Sequence, residues 1–307
     1  MTSKTIRVRP GDGATVADVL ARAGADANAI AEGRVFVGRR RVRSGSDPLG
    51  EGDVVNVAAP RALPLAVRVV MHEDDLVAVD KPAGMPTIAD HAGAAHSLVN
   101  VAAKTLGIDA TRLHPTSRLD RDVSGVVVFA LTKGAAERLA RARAAGTYDR
   151  RYVALATSAP RPSAGTWDAP VGRARDPRLR MVRGRDPIAA ATRYAVCGST
   201  PGGFALLGVS PLTGRTHQIR VHASHAGAPL VGDRDYGGPA RVTLATGRVL
   251  EPRRVALHAR RVVVPSASGS PITVEAAVPP ELEALWSALG GDPAAWDVAT
   301  NGPTDDR

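Results

Sequence analysis

The chain has 307 residues, enough for one large and one small domain, each with its own core. Lys and Arg number 40 against 30 Asp and Glu, a formal net charge of +10 that favours nucleic acid over a membrane surface as partner. No stretch resembles a transmembrane span, and the first residues lack the apolar core of a secretion signal, so we expect a cytoplasmic protein. The single Cys197 excludes an intramolecular disulfide.

Residues 1–60 are predicted to form a small α/β domain. A strand in TIRVRP, a helix with one apolar face, a hairpin turning at Gly38-Arg39 and a closing strand in GDVVNV follow one another. The hairpin carries five arginines within ten residues, and a sharp turn with so many cations favours contacts with RNA phosphates over a solvated face. These arginines are Arg34, Arg39, Arg40, Arg41 and Arg43.

The end of this domain is similar to the alpha-L RNA-binding motif, named after a small-subunit ribosomal protein, which reads G-x-V-x-V-N-G … L-x-x-G-D-x-V. The segment before Gly33 is shorter than in that motif, and Gly38 follows Val37 without the usual Asn. A ubiquitin-like domain with a protein partner is the alternative. The residues at matching places are Gly33, Val35, Val37, Gly38, Leu49, Gly52, Asp53 and Val55.

Residues 61–290 are predicted to form the larger domain, after a Pro-punctuated linker at 59–68. Strand-like and helix-like runs alternate irregularly there, without the repeat of a doubly wound sheet. The pattern predicts an α+β fold with a mixed, mostly antiparallel central sheet and flanking helices. Residues 291–307 are predicted to be a polar tail.

The most informative stretch of this domain is HPTSRLDRDVSGVVVFAL, residues 114–131. Asp120 follows an Arg-Leu pair, a Ser-Gly turn is predicted at 124–125, and Val126–Phe129 is predicted to be a buried strand. A carboxylate at the mouth of a core strand is held where it can act on a ligand. The flanking Arg118 and Arg121 favour the ionised form that a nucleophile needs. A solvated surface turn is the alternative for this motif taken alone.

Two further segments carry candidate site residues. In TYDRRYVALAT, residues 147–157, Tyr152 alternates with apolar residues and is predicted to lie on a strand. In residues 210–237, a turn precedes a segment that, if extended, places His217 on one side and Arg220 on the other. The histidine spacing in this segment matches no compact zinc pattern, so no metal site is predicted. The turn is Thr213-Gly214-Arg215, and the histidines are His217, His222 and His225.

Taken together, these segments resemble the RluA-type pseudouridine synthase family. The family's K-P-x-G, H-R-L-D-x-x-T-S-G, K-x-Y-x-A, T-G-R-T-H-Q-I-R-V-H, G-D-x-x-Y-G and L-H-A elements occur in this order. The ordered set covers about residues 65–285 and is far more specific than any one motif. The matching stretches are Lys81 to Gly84, Ser117 to Gly125, Arg150 to Ala154, Thr213 to His222, Gly232 to Gly237 and Leu257 to Ala259.

The sequence departs from the family pattern at four places. Ser117 replaces a His and Val123 replaces a Thr, both beside the expected nucleophile. Arg150 stands where the family has Lys, and Pro187 to Thr192 replaces G-K-x-A-x-T, so that one cation is absent. The first two departures bear on substrate fit or rate, but none removes the carboxylate, the tyrosine or the second arginine.

The resemblance implies a pseudouridine synthase fold with a catalytic cleft. It also implies a reaction that detaches a uridine in RNA from its sugar, turns the base and rejoins it through carbon 5. Asp120 would be the nucleophile, either at the sugar, as in a retaining glycosidase, or at the base ring. Arg220 would keep Asp120 ionised and oriented. Tyr152 would stack on the uracil and help remove the carbon-5 proton, while Arg118 would fill the stack that the flipped base leaves.

Because the reaction involves neither redox nor hydrolysis, no cofactor or metal is expected. RNA is the expected partner of a monomeric protein. Large-subunit ribosomal RNA is favoured, since family members with an N-terminal alpha-L motif usually act there, and transfer RNA is second. The expected RNA contacts in the larger domain are Arg118, Arg121, Arg215 and His217.

Two other functions are open at this stage. A non-catalytic RNA-binding or ribosome-assembly factor on the same fold would fit the Ser117 and Val123 departures, although the catalytic residues are all present. A nucleoside or sugar hydrolase would need a second carboxylate, for which Asp122 and Asp233 are available. It would leave the basic segment at 34–43 unexplained.

Overall fold

The structure is a computed structural model that describes residues 3–26, 28–30, 34–38, 40–58, 66–89, 96–244 and 246–301. The described residues before 59 belong to one compact unit, and those of 66–88 and 97–301 belong to a second. Within these ranges, no helix combines the length and the apolar character needed to cross a membrane.

The N-terminal unit is a helix packed on a small antiparallel sheet. Its sheet order is β1-β4-β2-β3, and apolar residues of the helix and of the strands form its own core. Thr15 and Asp18 cap the helix reciprocally, which satisfies amide groups of its first turn. The elements predicted from the sequence are confirmed at these places. They are β1 Lys4–Arg7, α1 Val16–Arg22, β2 Val35–Val37, β3 Arg40–Arg41 and β4 Val54–Val57.

The second unit begins with two strands and a helix and continues with alternating strands and helices. Its first half contains β5 Arg68–Glu73, β6 Leu76–Lys81, α2 Leu98–Leu106, a short 3₁₀ helix Ala110–Arg112, β7 His114–Pro115, β8 Ser124–Ala130, α3 Lys133–Ala144 and β9 Asp149–Ala156. The middle contains β10 Ala164–Trp167, β11 Val171–Arg173, β12 Arg180–Val182, β13 Arg185–Ile188, β14 Thr192–Ser199, β15 Ala205–Pro211 and α4 Gln218–His225. The last part contains β16 Val242–Thr243, β17 Val249–Leu250, β18 Leu257–Pro265, β19 Pro271–Glu275, α5 Pro280–Ala288 and α6 Ala295–Asn301.

Ten strands of the described second unit form one mixed sheet. Its order is β10-β14-β15-β9-β18-β8-β6-β5, with β19 on β18 and β7 on β8. The β8–β18 pair is parallel and the other pairs are antiparallel. Helix α3 packs on β6, β8 and β18, while α5 and α6 pack on β9 and β15. The predicted polar tail is therefore wrong for residues 295–301, which form α6 with Ala295 and Ala299 in the core. The predicted α+β fold with a mostly antiparallel sheet is confirmed.

The Ser-Gly pair at 124–125 is not the predicted turn but the start of β8. Gly125 has φ +117°, and a Cβ atom there would lie 2.2 Å from the carbonyl oxygen of Ala259 on the neighbouring strand. Only glycine accepts both this backbone conformation and this close approach. A Ser-Gly pair is typical of a turn, but here the glycine allows two strands to approach closely and the chain does not reverse.

The segment after the Thr213-Gly214-Arg215 turn is a helix, α4, and the extended interpretation of it was wrong. Residues 218–223 of α4 are all buried. Gln218, Arg220 and His222 alternate with apolar residues, so the sequence has the two-residue period of a strand although the chain is helical. The helical conformation brings His217 and Arg220, three residues apart, to the same side.

The parallel β8–β18 pair is locked by buried polar side chains. Ser124 and His258 are register partners, with 2.7 Å between the Ser124 Oγ and His258 Nδ1 atoms. Because Arg254 Nη2 donates to the Ser124 Oγ at 2.8 Å, the serine proton points to His258. Burial, followed by the charge of Arg254, lowers the pKa of His258 to about 3. The ring is therefore neutral at pH 7.

We predict that His258 contributes to loss of stability in acid. Its pKa is about 3 in the folded protein and near 6.5 when unfolded. Between these pH values the unfolded chain binds a proton that the folded chain excludes, so the free energy of unfolding falls with falling pH by about 1.4 kcal/mol per unit. His258→Gln keeps an acceptor for Ser124 but cannot titrate, so its urea midpoints should fall less steeply from pH 6.5 to 3. Parallel curves for wild type and variant would contradict the assignment, and His225→Gln, at an exposed histidine, is the control.

Candidate active site

The loop that carries Asp120 is bonded to the segment that follows β6. The Lys81 ammonium is fully buried and donates to three backbone carbonyls: Met85 at 2.7 Å, Pro82 at 3.0 Å and Arg121 at 3.1 Å. The amide of Gly84 donates to the same Arg121 carbonyl at 2.7 Å. The K-P-x-G element thus holds the loop immediately after the nucleophile candidate.

A second tie holds the loop immediately before Asp120. The Thr87 hydroxyl donates to the Leu119 carbonyl at 2.8 Å and accepts the Leu119 amide at 3.0 Å. Thr87 and Lys81 therefore fix the loop on both sides of Asp120, which is the pre-organisation that a reacting side chain needs. Burial lowers the pKa of Lys81 to about 7, against the opposing attraction of Asp122 and Asp120.

Asp120 itself faces Arg220 of α4, as the sequence predicted. Its Oδ2 atom accepts from Arg220 Nη1 at 3.0 Å and lies 3.8 Å from His217 Nε2. The side chain is 26% exposed, against 7% for Arg220. Among the described residues, the Asp120 Oδ1 atom makes no hydrogen bond. One oxygen is thus held by the cation while the other remains available to a ligand.

Arg220 is shared by three carboxylates. Its Nε and Nη2 atoms each donate to Asp233 at 2.7 Å, and Nη2 also donates to Asp235 at 3.2 Å. The ring of Tyr236 lies 4.8 Å from its guanidinium carbon. Burial opposes the charge, but Asp233, then Asp120 and Asp235, outweigh burial and raise the pKa of Arg220 well above its ordinary value. Arg220 therefore stays charged and oriented beside Asp120.

The position of Asp233 depends on a tight backbone crossing. Asp233 is fully buried and follows Gly232, which has φ +79° and whose Cβ would lie 2.0 Å from the Arg254 carbonyl oxygen. A larger residue at 232 would push the loop, and with it the buried carboxylate, away from Arg220. This explains the glycine of the G-D-x-x-Y-G element.

His217 is held in one tautomer by Tyr236. The Tyr236 hydroxyl oxygen accepts the amide of Arg180 at 3.0 Å, so we assign its single proton to His217 Nδ1, 2.7 Å away. The Nε2 atom of His217 then carries hydrogen and faces Asp120. Burial lowers the pKa of His217, against the pull of Asp120, so the ring is neutral at pH 7. Burial raises the pKa of Tyr236 to about 12, which keeps the hydroxyl a donor.

Tyr152 lies on β9, as predicted, and its position follows from the sheet. Tyr152 is the register partner of Ala259 on β18, and Ala259 is the partner of Gly125 on β8. The tyrosine is thus two strands from the start of β8, which the Asp120 loop enters. It is buried, at 7% exposure, and burial raises its pKa. Within the described residues its hydroxyl makes no hydrogen bond.

The other predicted residues of this unit lie around the site. Arg118 is exposed and has no ionic partner among the described residues. Arg121 is half-buried, with its backbone carbonyl bound by Lys81. Arg215 is exposed and donates through Nε to the Ala189 carbonyl at 2.9 Å. Arg118 and Arg215 can meet a polyanion without breaking an ion pair among the described residues.

The five N-terminal arginines differ in their surroundings. Arg34 is buried and donates to Asp26 and to the Ala58 carbonyl, so we assign it to the fold rather than to RNA. Arg40 is exposed and pairs with Asp47 at 2.8 Å. The guanidinium of Arg41 lies over the Phe36 ring. Arg43 is half-buried and Arg39 lies outside the described residues.

Sequence reasoning did not select Asp235 or Tyr236 as site residues and considered Asp233 only as a hydrolase carboxylate. All three belong to the G-D-R-D-Y-G stretch after α4. Two aspartates two residues apart, Asp233 and Asp235, in a chain with an excess of arginine were the signal that could have indicated a shared cation.

The Arg that replaces the family's Lys supports the turn before α4. Arg150 is buried and its Nη2 atom donates to the carbonyls of Pro211 and Thr213 at 3.0 and 2.8 Å. The Arg150 guanidinium thus ties the end of β15 to the turn that precedes α4.

The three histidines of this segment do not converge. His222 uses both ring nitrogens for protein contacts, 2.9 Å from the Thr192 hydroxyl and 2.8 Å from the Ala169 carbonyl. Within the described part of the chain, no three side chains of His, Cys, Asp or Glu are placed to hold one metal ion.

Comparison with known proteins places this arrangement in a family. The family model for RNA pseudouridylate synthases matches residues 75–225, which include Asp120, Tyr152 and Arg220. The chain is 36% identical over 269 residues to the ribosomal large subunit pseudouridine synthase D of Xanthomonas campestris pv. campestris, covering 81% of this chain and 79% of that protein. The chain belongs to the RNA pseudouridylate synthase family. The resemblance found in the sequence is confirmed.

Other relatives agree. An uncharacterized RNA pseudouridine synthase of Chlorobaculum parvum is 33% identical over 286 residues, covering 83% of this chain and 86% of that protein. The solved structure of human RNA Pseudouridylate Synthase Domain Containing 4 has a TM-score of 0.60 and 26% identity, covering 73% of this chain and 93% of that one. The protein is thus an isomerase that acts on uridine in RNA.

We predict that Tyr236 supports catalysis through His217. Tyr236→Phe keeps the ring over Arg220 but removes the donor to His217 Nδ1, so the histidine is no longer held in one tautomer. Turnover of the synthase should fall about two- to tenfold, since one net hydrogen bond contributes about 0.5–1.5 kcal/mol. Nitrogen NMR of His217 should show protonated Nε2 in the wild type and a tautomer mixture in the variant. A wild-type Nδ1–H signal would contradict the assignment.

Proposed function

We propose that the synthase uses Asp120 as its nucleophile, Arg220 as the cation that orients it and Tyr152 as the residue that meets the base. The observation that carries this proposal is the asymmetric environment of Asp120. Its Oδ2 atom is bound by Arg220 at 3.0 Å, and its Oδ1 atom makes no hydrogen bond within the described residues. A carboxylate held by one oxygen can attack with the other without losing its orientation.

The reaction is balanced without a co-reactant. The N1–C1′ bond of uridine breaks, a C5–C1′ bond forms, the C5 proton is lost and N1 gains a proton. Asp120 attacks either C1′ or the uracil ring, and both routes need the same ionised carboxylate. Arg220 holds the Asp120 carboxylate in place, and its own position is fixed by Asp233 and Asp235.

Tyr152 suits a base-facing role. It is buried at the centre of the sheet, and its raised pKa keeps the hydroxyl protonated in the free enzyme. A flipped uracil would stack on the ring and bring its C5 proton near that hydroxyl or a water. The exposed Arg118, which has no ionic partner in the described part of the chain, is the proposed filler of the gap that the base leaves in the RNA.

We propose large-subunit ribosomal RNA as the substrate class. The relative from Xanthomonas campestris pv. campestris carries a large-subunit name and aligns with 81% of this chain. The N-terminal unit resembles an RNA-binding motif that accompanies this specificity. Arg34 binds Asp26 and the Ala58 carbonyl inside that unit. We therefore assign RNA binding by the unit to Arg39, Arg40 and Arg43 rather than to Arg34.

The hydrolase alternative is left with one of its two candidate acids. Asp233 is fully buried and accepts two hydrogen bonds from Arg220. A general acid must carry a proton and reach the leaving group, and Asp233 is placed for neither. Asp122 is the remaining candidate for the general acid, and the Asp122→Asn variant tests it.

We predict that Asp120→Asn abolishes pseudouridine formation and leaves RNA affinity within a few-fold. The amide keeps the shape of the side chain but is not a nucleophile, and Arg220 retains two carboxylates, so the fold should persist. The measurement is nucleoside mass spectrometry of ribosomal RNA after incubation with each protein. Asp122→Asn is the matched control and should still form product. Product from the Asp120 variant above a trace would show that the nucleophile is another residue, and release of free uracil by the wild type would favour the hydrolase.

We predict that the N-terminal arginines add to the salt dependence of RNA binding. Replacing Arg39, Arg40 and Arg43 by Gln should make the slope of log K against log salt shallower by about 0.7 to 0.9 for each phosphate that the protein no longer neutralises. Turnover at saturating RNA should persist, because Asp120, Tyr152 and Arg220 lie in the other unit. The measurement is a binding titration across a salt series. Unchanged slopes would favour the ubiquitin-like interpretation, with a protein partner for this unit.

A further inference from the structure

A small sheet beside the active site carries a concentrated positive charge. Strands β12-β11-β13 form a three-stranded antiparallel sheet within residues 171–188. This segment contains six arginines and two aspartates, and none of these arginines was selected from the sequence. The arginines are Arg173, Arg175, Arg178, Arg180, Arg183 and Arg185.

Three of these arginines are aligned across the strands. Arg173 of the central strand is the register partner of Arg180 on one side and of Arg185 on the other. Directly opposed residues of neighbouring strands share a face, with Cβ atoms about 4.5–5.5 Å apart. The three therefore form a row about 10 Å wide on one face of the sheet. We call them the arginine row.

The arginine row is not neutralised within the described protein. Arg173 and Arg185 are exposed and have no carboxylate partner among the described residues. The Arg180 guanidinium donates to the uncharged carbonyls of Pro177 and Leu179, both at 2.7 Å. Like charges placed directly opposite each other destabilise a sheet. Unbalanced positive charge that opposes folding is typical of a site where a bound anion supplies the negative charge.

The row lies on the face that turns towards the active site. Arg173 is two residues from Val171, and Arg180 is two residues from Val182, so each arginine shares a face of the sheet with its valine. These valines pack with Tyr236 and with Val221 of α4. The backbone amide of Arg180 donates to the Tyr236 hydroxyl. That hydroxyl contacts His217, which lies 3.8 Å from Asp120. The side chains of Tyr236 and His217 thus lie between the arginine row and Asp120.

We propose that the arginine row binds the phosphates of the RNA strand that flanks the target uridine. Arginine forks match phosphate geometry, and a row beside the site would hold the strand next to the flipped base. The proposal rests on the proposed function only for the position of that base. The charge, the alignment and the exposure of the row stand without it.

The test uses the full chain with Arg173→Gln and Arg185→Gln combined. Binding of a labelled RNA hairpin with uridines in its loop is measured across a salt series. The double variant should bind about tenfold more weakly, with a slope shallower by about 0.7 to 0.9 for each phosphate left without its arginine. Its kcat at saturating RNA should stay near that of the wild type while its KM rises, because the residues around Asp120 are untouched.

A stability measurement guards against a folding defect. Removing two of three opposed like charges should leave the Tm unchanged or raise it, so weaker RNA binding could not be attributed to unfolding. The charge-matched control is Arg112→Gln with Arg141→Gln, two exposed arginines without carboxylate partners among the described residues. The control should bind RNA more tightly than the double variant.

Two outcomes would overturn the proposal. Equal reductions in affinity in the double variant and the control would show that only overall charge matters, and wild-type affinity in the double variant would show that the row does not touch RNA. Because the readout is binding, it does not depend on turnover. Failure of the wild type to form pseudouridine would instead count against the proposed function.

Discussion

The active site depends on one buried guanidinium that three carboxylates share. Arg220 of α4 joins the loop of Asp120, 100 residues earlier in the chain, to the loop of Asp233 and Asp235. Two unopposed carboxylates would repel each other in this enclosure, and an unpaired arginine would be costly to bury. The buried part of the cluster, Arg220 with Asp233 and Asp235, is therefore stable only as a unit. Because Asp233 and Asp235 already satisfy much of the Arg220 charge, Asp120 is oriented without being fully neutralised, and it remains the most exposed member, at 26%.

The remaining geometry follows from close backbone contacts. Gly125 lets β8 approach β18 in the parallel pair, and that pair sets the distance from the Asp120 loop to Tyr152 on β9. A buried hydrogen bond between the uncharged side chains of Ser124 and His258 joins β8 to β18. Two features that stand apart in the sequence, the Ser-Gly pair and the L-H-A element, are thus two halves of one contact.

Local patterns predicted much of this arrangement. Val126–Phe129 is an uninterrupted β-branched and aromatic run, and a buried strand is the physical consequence. Asp120 was selected because its loop adjoins such a strand, whereas Tyr152 was placed on a strand by its pattern and received a role in the site only from the family resemblance. Helix α4 was predicted wrongly because its polar and apolar residues alternate, which is the two-residue period of a strand. Arg34 looks like its neighbours in the sequence, and only the fold shows that Asp26 takes up its charge. The arginine row was missed because Arg173 and Arg185 become neighbours through strand register, which composition does not reveal.

The ammonium of Lys81 has a further consequence for the loop of Asp120. Its three hydrogens match three carbonyls, two on its own segment and one on the nucleophile loop. Its pKa is lowered to about 7. Above that pH the amine has two hydrogens for three acceptors. The Arg121 carbonyl also accepts the amide of Gly84, so it is the acceptor that can lose Lys81 without being left unpaired. Loss of a proton from a buried lysine would then weaken the bond between the end of β6 and the nucleophile loop, although its side chain does not touch Asp120 itself.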